Sequence, residues 1–315
     1  MKIAILDDYQ NAARDWADWS RLEAAHELTF FHQAYEGLDG FTKRLQDFDI
    51  IGIMRERSPM GRDVLERLPD VKLLATAGMR NAAIDLAYCK ERGLPVVGTA
   101  GSAQATPELA WGLMISLARN IHIEDQRIRE GRWITTMGVD LDGKTLGILG
   151  LGKLGRKMAQ IGQAFSMNVI AWSQNLTADD AASIGVERVE KDELFARSDF
   201  LTVHYKLGDR SHGLVGAREL GLMKKTAFLV NTARGPIVDT TALIAALEAG
   251  QIAGAGVDVH DMEPLPADAP LLNAPNTLLT PHLGYVTDGT YREFYGQMVE
   301  SIEQWLAGTP VRVLA

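Results

Sequence analysis

Apolar and polar positions alternate in two successive series along this chain. In the first, short apolar runs at Lys2–Leu6, Asp49–Met54, Lys72–Ala75 and Pro95–Gly98 read as strands, with helical spacing between them, as at Gly61–Leu68. A second series predicts strands near Thr145–Leu149, Asn168–Trp172, Phe200–His204, Ala227–Asn231, Gly254–Val259 and Thr277–Thr280. Helices fall between these, for example at Asp192–Arg197 and Thr240–Ala249. Strands alternating with helices predict parallel sheets, so the fold class is α/β with doubly wound sheets. Gln104–Asn120, between the two series, is apolar nearly all round and has Pro107 in its first turn. It reads as a helix buried on more than one side, at a domain junction or a subunit interface. A last helix is expected at about Asp288–Leu306.

The run at Thr145–Leu149 leads into Gly150-Leu-Gly152-Lys-Leu-Gly155, and helical spacing follows through Met158, Ile161 and Phe165. Strand, glycine turn and helix are the context in which GxGxxG cradles a dinucleotide pyrophosphate; the alternative is a purely structural turn. In the first reading Gly150 lets the chain turn, Gly152 lets the backbone approach the phosphates, and Gly155 lets helix and strand pack closely. The next strand should end in an acid that accepts the ribose hydroxyls. It ends instead in Ser173-Gln174-Asn175, with neither acid nor arginine. Ser173 can hydrogen-bond to a ribose hydroxyl or to a 2′-phosphate, so NAD or NADP is expected as cofactor.

Composition narrows the classes. A length of 315 residues favours two domains. A net charge of −9 argues against a nucleic-acid partner. No apolar run is long enough to span a bilayer, and the first residues read as a strand, so a cytoplasmic location and no membrane partner are expected. Cys89 is the single cysteine and reads as a small buried residue. The seven histidines show no metal-ligand spacing, and no metal site is expected.

Three strand ends carry candidate chemistry. Arg234, before Gly-Pro, can grip a carboxylate through two N–H groups or form a surface ion pair. Asp258 and Glu263 can orient a histidine, contact a nicotinamide amide or only shape a turn. His282, in Thr-Pro-His-Leu-Gly, is a candidate acid and base or a structural histidine.

Together GLGKLG (Gly150–Gly155), VNTARGPIVD (Val230–Asp239), GVDVHDMEP (Gly256–Pro264) and TPHLG (Thr280–Gly284) resemble the D-isomer-specific 2-hydroxyacid dehydrogenase family, over nearly the whole chain. The resemblance implies a Rossmann cofactor domain, residues 100–284, inserted in a discontinuous flavodoxin-like substrate domain, residues 1–99 and 285–315. It also implies a homodimer built on the helix at Gln104–Asn120. Arg234 would bind the substrate carboxylate. His282 would exchange a proton with the substrate oxygen as hydride moves, and Glu263 would pair with His282 and favour its imidazolium. Gly150, Gly152, Lys153, Leu154, Gly155, Ser173, Thr232, Ala233, Asp258 and Thr106 would contact the cofactor. Gly78, Met79 and Arg80 occupy the substrate loop; Met79 and Arg80 replace its usual small pair, and Arg80 either adds a cation to the pocket or points outward. Arg57 is a further candidate for the pocket wall. Lys206 stands where a proline is usual, and Tyr285 where a small residue or tryptophan is common. The implied reaction interconverts small 2-oxo acids and D-2-hydroxy acids: glyoxylate, hydroxypyruvate or 3-phosphohydroxypyruvate. A formate dehydrogenase would carry Gln at position 263. The competing reading is an NAD(H)-sensing binding protein of the corepressor type. No regulatory domain is expected after the last helix.

Overall fold

The computed structural model describes residues 1–101 and 104–315. The chain divides into two compact units, Met1–Ser102 with Val286–Ala315, and Ala103–Tyr285.

The first unit holds the strands β1 (Lys2–Ile5), β2 (Glu27–Phe30), β3 (Ile50–Ile53), β4 (Leu73–Thr76) and β5 (Val96–Val97). They form one parallel sheet in the order β2-β1-β3-β4-β5, the flavodoxin-like order. Every residue of β3 and β4 is buried, as expected of strands covered on both faces. That burial is why they read as unbroken apolar runs. β2 is an edge strand, Glu-Leu-Thr-Phe, only half covered, and its weak pattern gave no strand signal. The expected helix at Gly61–Leu68 is α-helical only over Arg62–Leu65. The final helix, Asp288–Leu306, returns to this sheet. A Cβ on Gly52 of β3 would come within 2.7 Å of Ile5 Cδ1 and 2.9 Å of Met298 Sδ, so glycine makes room for the helix.

The second unit holds β6 (Thr145–Leu149), β7 (Asn168–Trp172), β8 (Glu187–Arg188), β9 (Phe200–Val203), β10 (Phe228–Asn231), β11 (Gly254–Val257) and β12 (Thr277–Leu279). All pair in parallel, in the order β12-β11-β10-β9-β6-β7-β8. Renumbered from its own first strand this is 3-2-1-4-5-6-7, the Rossmann order extended by one strand. β8, a two-residue edge strand of Glu and Arg, carries no apolar pattern and was not foreseen. The helix Ala105–Arg119 buries Ala110, Leu113, Met114 and Leu117 among others. It lies over β11, where Leu113 Cβ is 3.2 Å from the place of a Cβ on Gly256. Packing within its own unit thus accounts for much of its apolar surface. The helix that follows, Ile121–Arg129, buries none of its residues and was not expected, nor was the exposed apolar segment beyond it. Trp133, Ile134 and Met137 there are 76%, 78% and 91% exposed.

Candidate active site

In a doubly wound sheet ligands bind beyond the carboxyl ends of the strands, where strand order reverses. In the second unit that point lies between β6 and β9, and the glycine turn occupies it. Gly150 has φ +106°, and a Cβ there would approach the carbonyl carbon and oxygen of His204, after β9, to 2.7 Å. A Cβ on Gly155 would overlap the carbonyl oxygen of Gly150. Gly152 precedes the helix Lys153–Ala164, and a Cβ there would meet nothing within 4 Å. Two glycines are thus required by the protein's own backbone, and the third keeps an open face at a helix N-terminus, the place where an anion is favoured. Lys153 is exposed and Leu154 half-buried.

Two buried polar atoms near these strand ends make no hydrogen bond, Thr232 Oγ1 after β10 and His204 Nδ1 after β9. Burial pushes the His204 pKa down to about 4, so its imidazole is neutral, with Nε2 2.8 Å from Thr202 Oγ1. Orphaned polar atoms beside an open glycine turn fit a dinucleotide as the missing partner. At the tip of β7, Ser173 Oγ accepts the Leu151 N–H at 2.9 Å, and the Gln174 N–H donates to the Tyr205 hydroxyl at 3.3 Å. Lys206 is exposed.

Arg234 leaves the end of β10 partly buried, and its Nη1 donates to the Ala233 carbonyl at 2.7 Å. The turn that carries it is held by Asn231, whose side chain accepts the Ala233 N–H at 3.1 Å and donates to the Arg234 carbonyl at 3.0 Å. Asn231 was not singled out in the sequence, although an Asn that closes a turn on its own backbone is a known signal. A Cβ on Gly235 would overlap the backbone of His260, so Arg234 is set close to the chain that leaves β11.

That chain meets the histidine loop. His282 Nδ1 lies 2.6 Å from Glu263 Oε2, and Glu263 Oε1 accepts the His260 N–H at 2.9 Å. Burial works to raise the Glu263 pKa. The hydrogen bond and charge of His282, with the His260 N–H, outweigh it and hold the carboxyl below its usual value. Glu263 is therefore a carboxylate acceptor near neutrality, which assigns a proton to Nδ1 of His282. His282 Nε2 makes no hydrogen bond among the described residues. The Tyr285 ring stands edge-on to the imidazole at 5.4 Å.

Asp258, fully buried, builds the loop that presents His282. Oδ1 accepts from Thr280 Oγ1 at 2.6 Å and from the Leu283 N–H at 2.7 Å; Oδ2 accepts the Gly284 N–H at 2.9 Å. Its carbonyl takes the His282 N–H at 2.8 Å. Burial pushes its carboxyl above the usual range, against the opposing pull of these donors and of His282. His282 itself has φ +55°, a left-handed conformation unusual for a residue with a side chain. Thr106 Oγ1 donates to the Gly284 carbonyl at 2.9 Å and ties the loop to the start of the helix Ala105–Arg119.

In the first unit, Gly78 has φ +91°, and its N–H donates to Thr99 Oγ1 at 2.8 Å. Met79 and Arg80 are exposed. Arg57 does not stand open: Nη1 donates to the Asp7 carbonyl at 2.6 Å, Nη2 to the Tyr291 hydroxyl at 3.3 Å, and the guanidinium lies 4.6 Å from the Tyr9 ring. The arginine against the loop at Gly78 is Arg55, two positions before Arg57. Its guanidinium takes the space that a Cβ on Gly78 would need, with Nη1 3.4 Å from the carbonyls of Ala77 and Arg80.

Comparison with known proteins agrees with this geometry. Residues 111–284 match the family model described as D-isomer specific 2-hydroxyacid dehydrogenase, NAD binding domain. A D-3-phosphoglycerate dehydrogenase of Methanocaldococcus jannaschii is 36% identical over 98% of this chain, which spans 58% of that protein's length. A hydroxypyruvate reductase of Blautia hydrogenotrophica is 30% identical, with 100% of this chain and 99% of that protein covered. The crystal structure of a phosphoglycerate oxidoreductase from Vibrio cholerae O395 superposes with a TM-score of 0.93 at 33% identity, covering 98% and 99% of the two chains.

Proposed function

This chain belongs to the D-isomer-specific 2-hydroxyacid dehydrogenase family, a family of NAD-binding oxidoreductases, and from that premise we propose that it interconverts small 2-oxo acids and D-2-hydroxy acids. The observation that carries the proposal is the 2.6 Å pair of His282 and Glu263. It leaves His282 Nε2 free to give or take a proton. A binding protein that only senses a dinucleotide has no use for such a pair.

A nicotinamide dinucleotide would supply or accept the hydride. The Gly150–Gly155 turn and the following helix N-terminus would hold its pyrophosphate, with Lys153 and Leu154 flanking. Thr232, Ala233 and Thr106 line the cradle, and Asp258 Oδ2 keeps acceptor capacity for a carboxamide N–H. Arg234 binds the substrate carboxylate through its guanidinium fork. His282 Nε2 gives its proton to the carbonyl oxygen during reduction and recovers it from the hydroxyl during oxidation. Glu263 balances the imidazolium charge and fixes the ring. Glyoxylate, hydroxypyruvate and 3-phosphohydroxypyruvate are the proposed substrate class.

We place the protein in the cytoplasm as a homodimer. The reducing compartment suits its single buried cysteine, and no helix among the described residues is long and apolar enough to cross a membrane. The exposed Trp133, Ile134 and Met137 suit burial against a second copy.

The test is steady-state oxidation of NADH and NADPH with each of the three acids. His282→Ala should lower kcat on the order of 10²–10⁴-fold. No turnover of any 2-oxo acid with either cofactor would reject the proposal.

A further inference from the structure

The next strand after a glycine turn ends beside the adenosine ribose, where a carboxylate ordinarily accepts the ribose hydroxyls. In this chain the tip of β7 carries Ser173, Gln174 and Asn175, all uncharged, and two hydroxyls converge on it. Ser173 Oγ accepts the Leu151 N–H at 2.9 Å. Tyr205, just past β9, reaches across and accepts the Gln174 N–H on its hydroxyl at 3.3 Å. The Tyr205 ring lies nearly parallel to Trp172, with centroids 6.0 Å apart and planes 14° apart, which fixes the side chain from the other end. A hydroxyl that accepts an N–H still has its own hydrogen to give. Neither hydroxyl donates to any group among the described residues. The tip therefore offers two O–H donors and no fixed negative charge.

We propose that Tyr205 is a specificity-determining residue of the cofactor cradle. With Ser173 it forms an uncharged, donor-bearing end that takes the 2′-phosphate of NADP as readily as the 2′-hydroxyl of NAD. This rests on the dinucleotide binding proposed above. A hydroxyl that donates to a phosphate oxygen makes a charge-assisted bond, so the pair does more for the 2′-phosphate than for a neutral hydroxyl. A carboxylate at the same tip would repel the phosphate.

Calorimetric titration of the full chain with NADP⁺ and with NAD⁺ tests this without turnover. The two dissociation constants should lie within about tenfold of each other. Tyr205→Phe keeps the ring on Trp172 and loses only the hydroxyl. It should weaken NADP⁺ about tenfold, the worth of one hydrogen bond to a charged group, and NAD⁺ by less. Ser173→Asp, whose carboxylate can still accept the Leu151 N–H, should weaken NADP⁺ about tenfold or more and leave NAD⁺ bound as well or better. A wild type that binds only NAD⁺ overturns the inference, as does a Tyr205→Phe variant that shifts both constants equally or neither; the dehydrogenase assignment survives both results. If neither dinucleotide binds the wild type, both proposals fall together.

Discussion

Replacing Glu263 by Gln removes one charge at the point where proton transfer is organised. In the wild type the two carboxylate oxygens have separate tasks: Oε2 faces His282 Nδ1 at 2.6 Å and Oε1 accepts the His260 N–H at 2.9 Å. Glutamine has one acceptor oxygen, so it can serve only one of them and turns its NH₂ towards the other. A hydrogen bond to a charged group contributes about 1.5–3 kcal/mol. The side chains of His282 and Glu263 remain 19% and 31% exposed, so solvent screens part of this, and about 1.5–2 kcal/mol is the fair expectation. Expressed wholly in the step where His282 gives its proton, that is a loss of about 10–30-fold in kcat. Steady-state kcat for reduction and for oxidation, with thermal melting to confirm folding, decides the matter. An unchanged kcat would refute the role of Glu263 as the histidine's counter-ion.

Two further perturbations test other parts of the structure. Gly155→Ala puts a methyl against the Gly150 carbonyl oxygen, whereas Gly152→Ala puts one into open space. The first should lower stability by about 1–3 kcal/mol through overpacking; the second should leave the melting temperature almost unchanged yet weaken dinucleotide binding. Equal melting temperatures for the two variants would contradict the packing described. Burial raises the Asp7 carboxyl from 3.8 to about 6 despite the Ser58 hydrogen bond, so the native state favours its protonated form. That contribution is present below pH 3.8 and is lost as pH rises through about 6. Relative to Asp7→Asn, the wild type should lose about 2 kcal/mol between pH 4.5 and pH 7; urea unfolding that gives parallel pH dependences for the two would show that Asp7 does not titrate this way.

The sequence made the central strands legible because burial on both faces turns them into apolar runs; Ile50–Ile53 and Leu73–Thr76 are buried throughout. The edge strands β2 and β8 escaped notice for the converse reason, since a half-covered Glu-Leu-Thr-Phe or a bare Glu-Arg gives no period to read. The glycine turn was legible because its chemistry is local: strand, turn and helix succeed one another within a few residues. Residues whose meaning comes from distant partners were not. Tyr205 matters through the backbone of Gln174, 31 positions away. Arg55 matters through the loop at Gly78, and nothing in Met54-Arg55-Glu56-Arg57 distinguishes it from Arg57, which is occupied by Asp7, Tyr9 and Tyr291.

Asp258 joins the two halves of the proposed mechanism. From the sequence it could orient a histidine or touch a cofactor, and these stood as alternatives. The structure gives the carboxylate three donors from the histidine loop, two on Oδ1 and one on Oδ2. A carboxylate oxygen accepts about two hydrogen bonds, so Oδ1 is filled and Oδ2 has one place left. The alternatives are therefore compatible. A carboxamide N–H on Oδ2 would complete the set of donors around a buried charge whose pKa burial already pushes up, and would favour the ionised form that holds Thr280, Leu283 and Gly284 in place. Because the same loop carries His282 in its left-handed conformation, filling that last acceptor position would steady the proton donor. Under the proposed mechanism, binding of the nicotinamide and alignment of the acid would then be two consequences of one buried carboxylate.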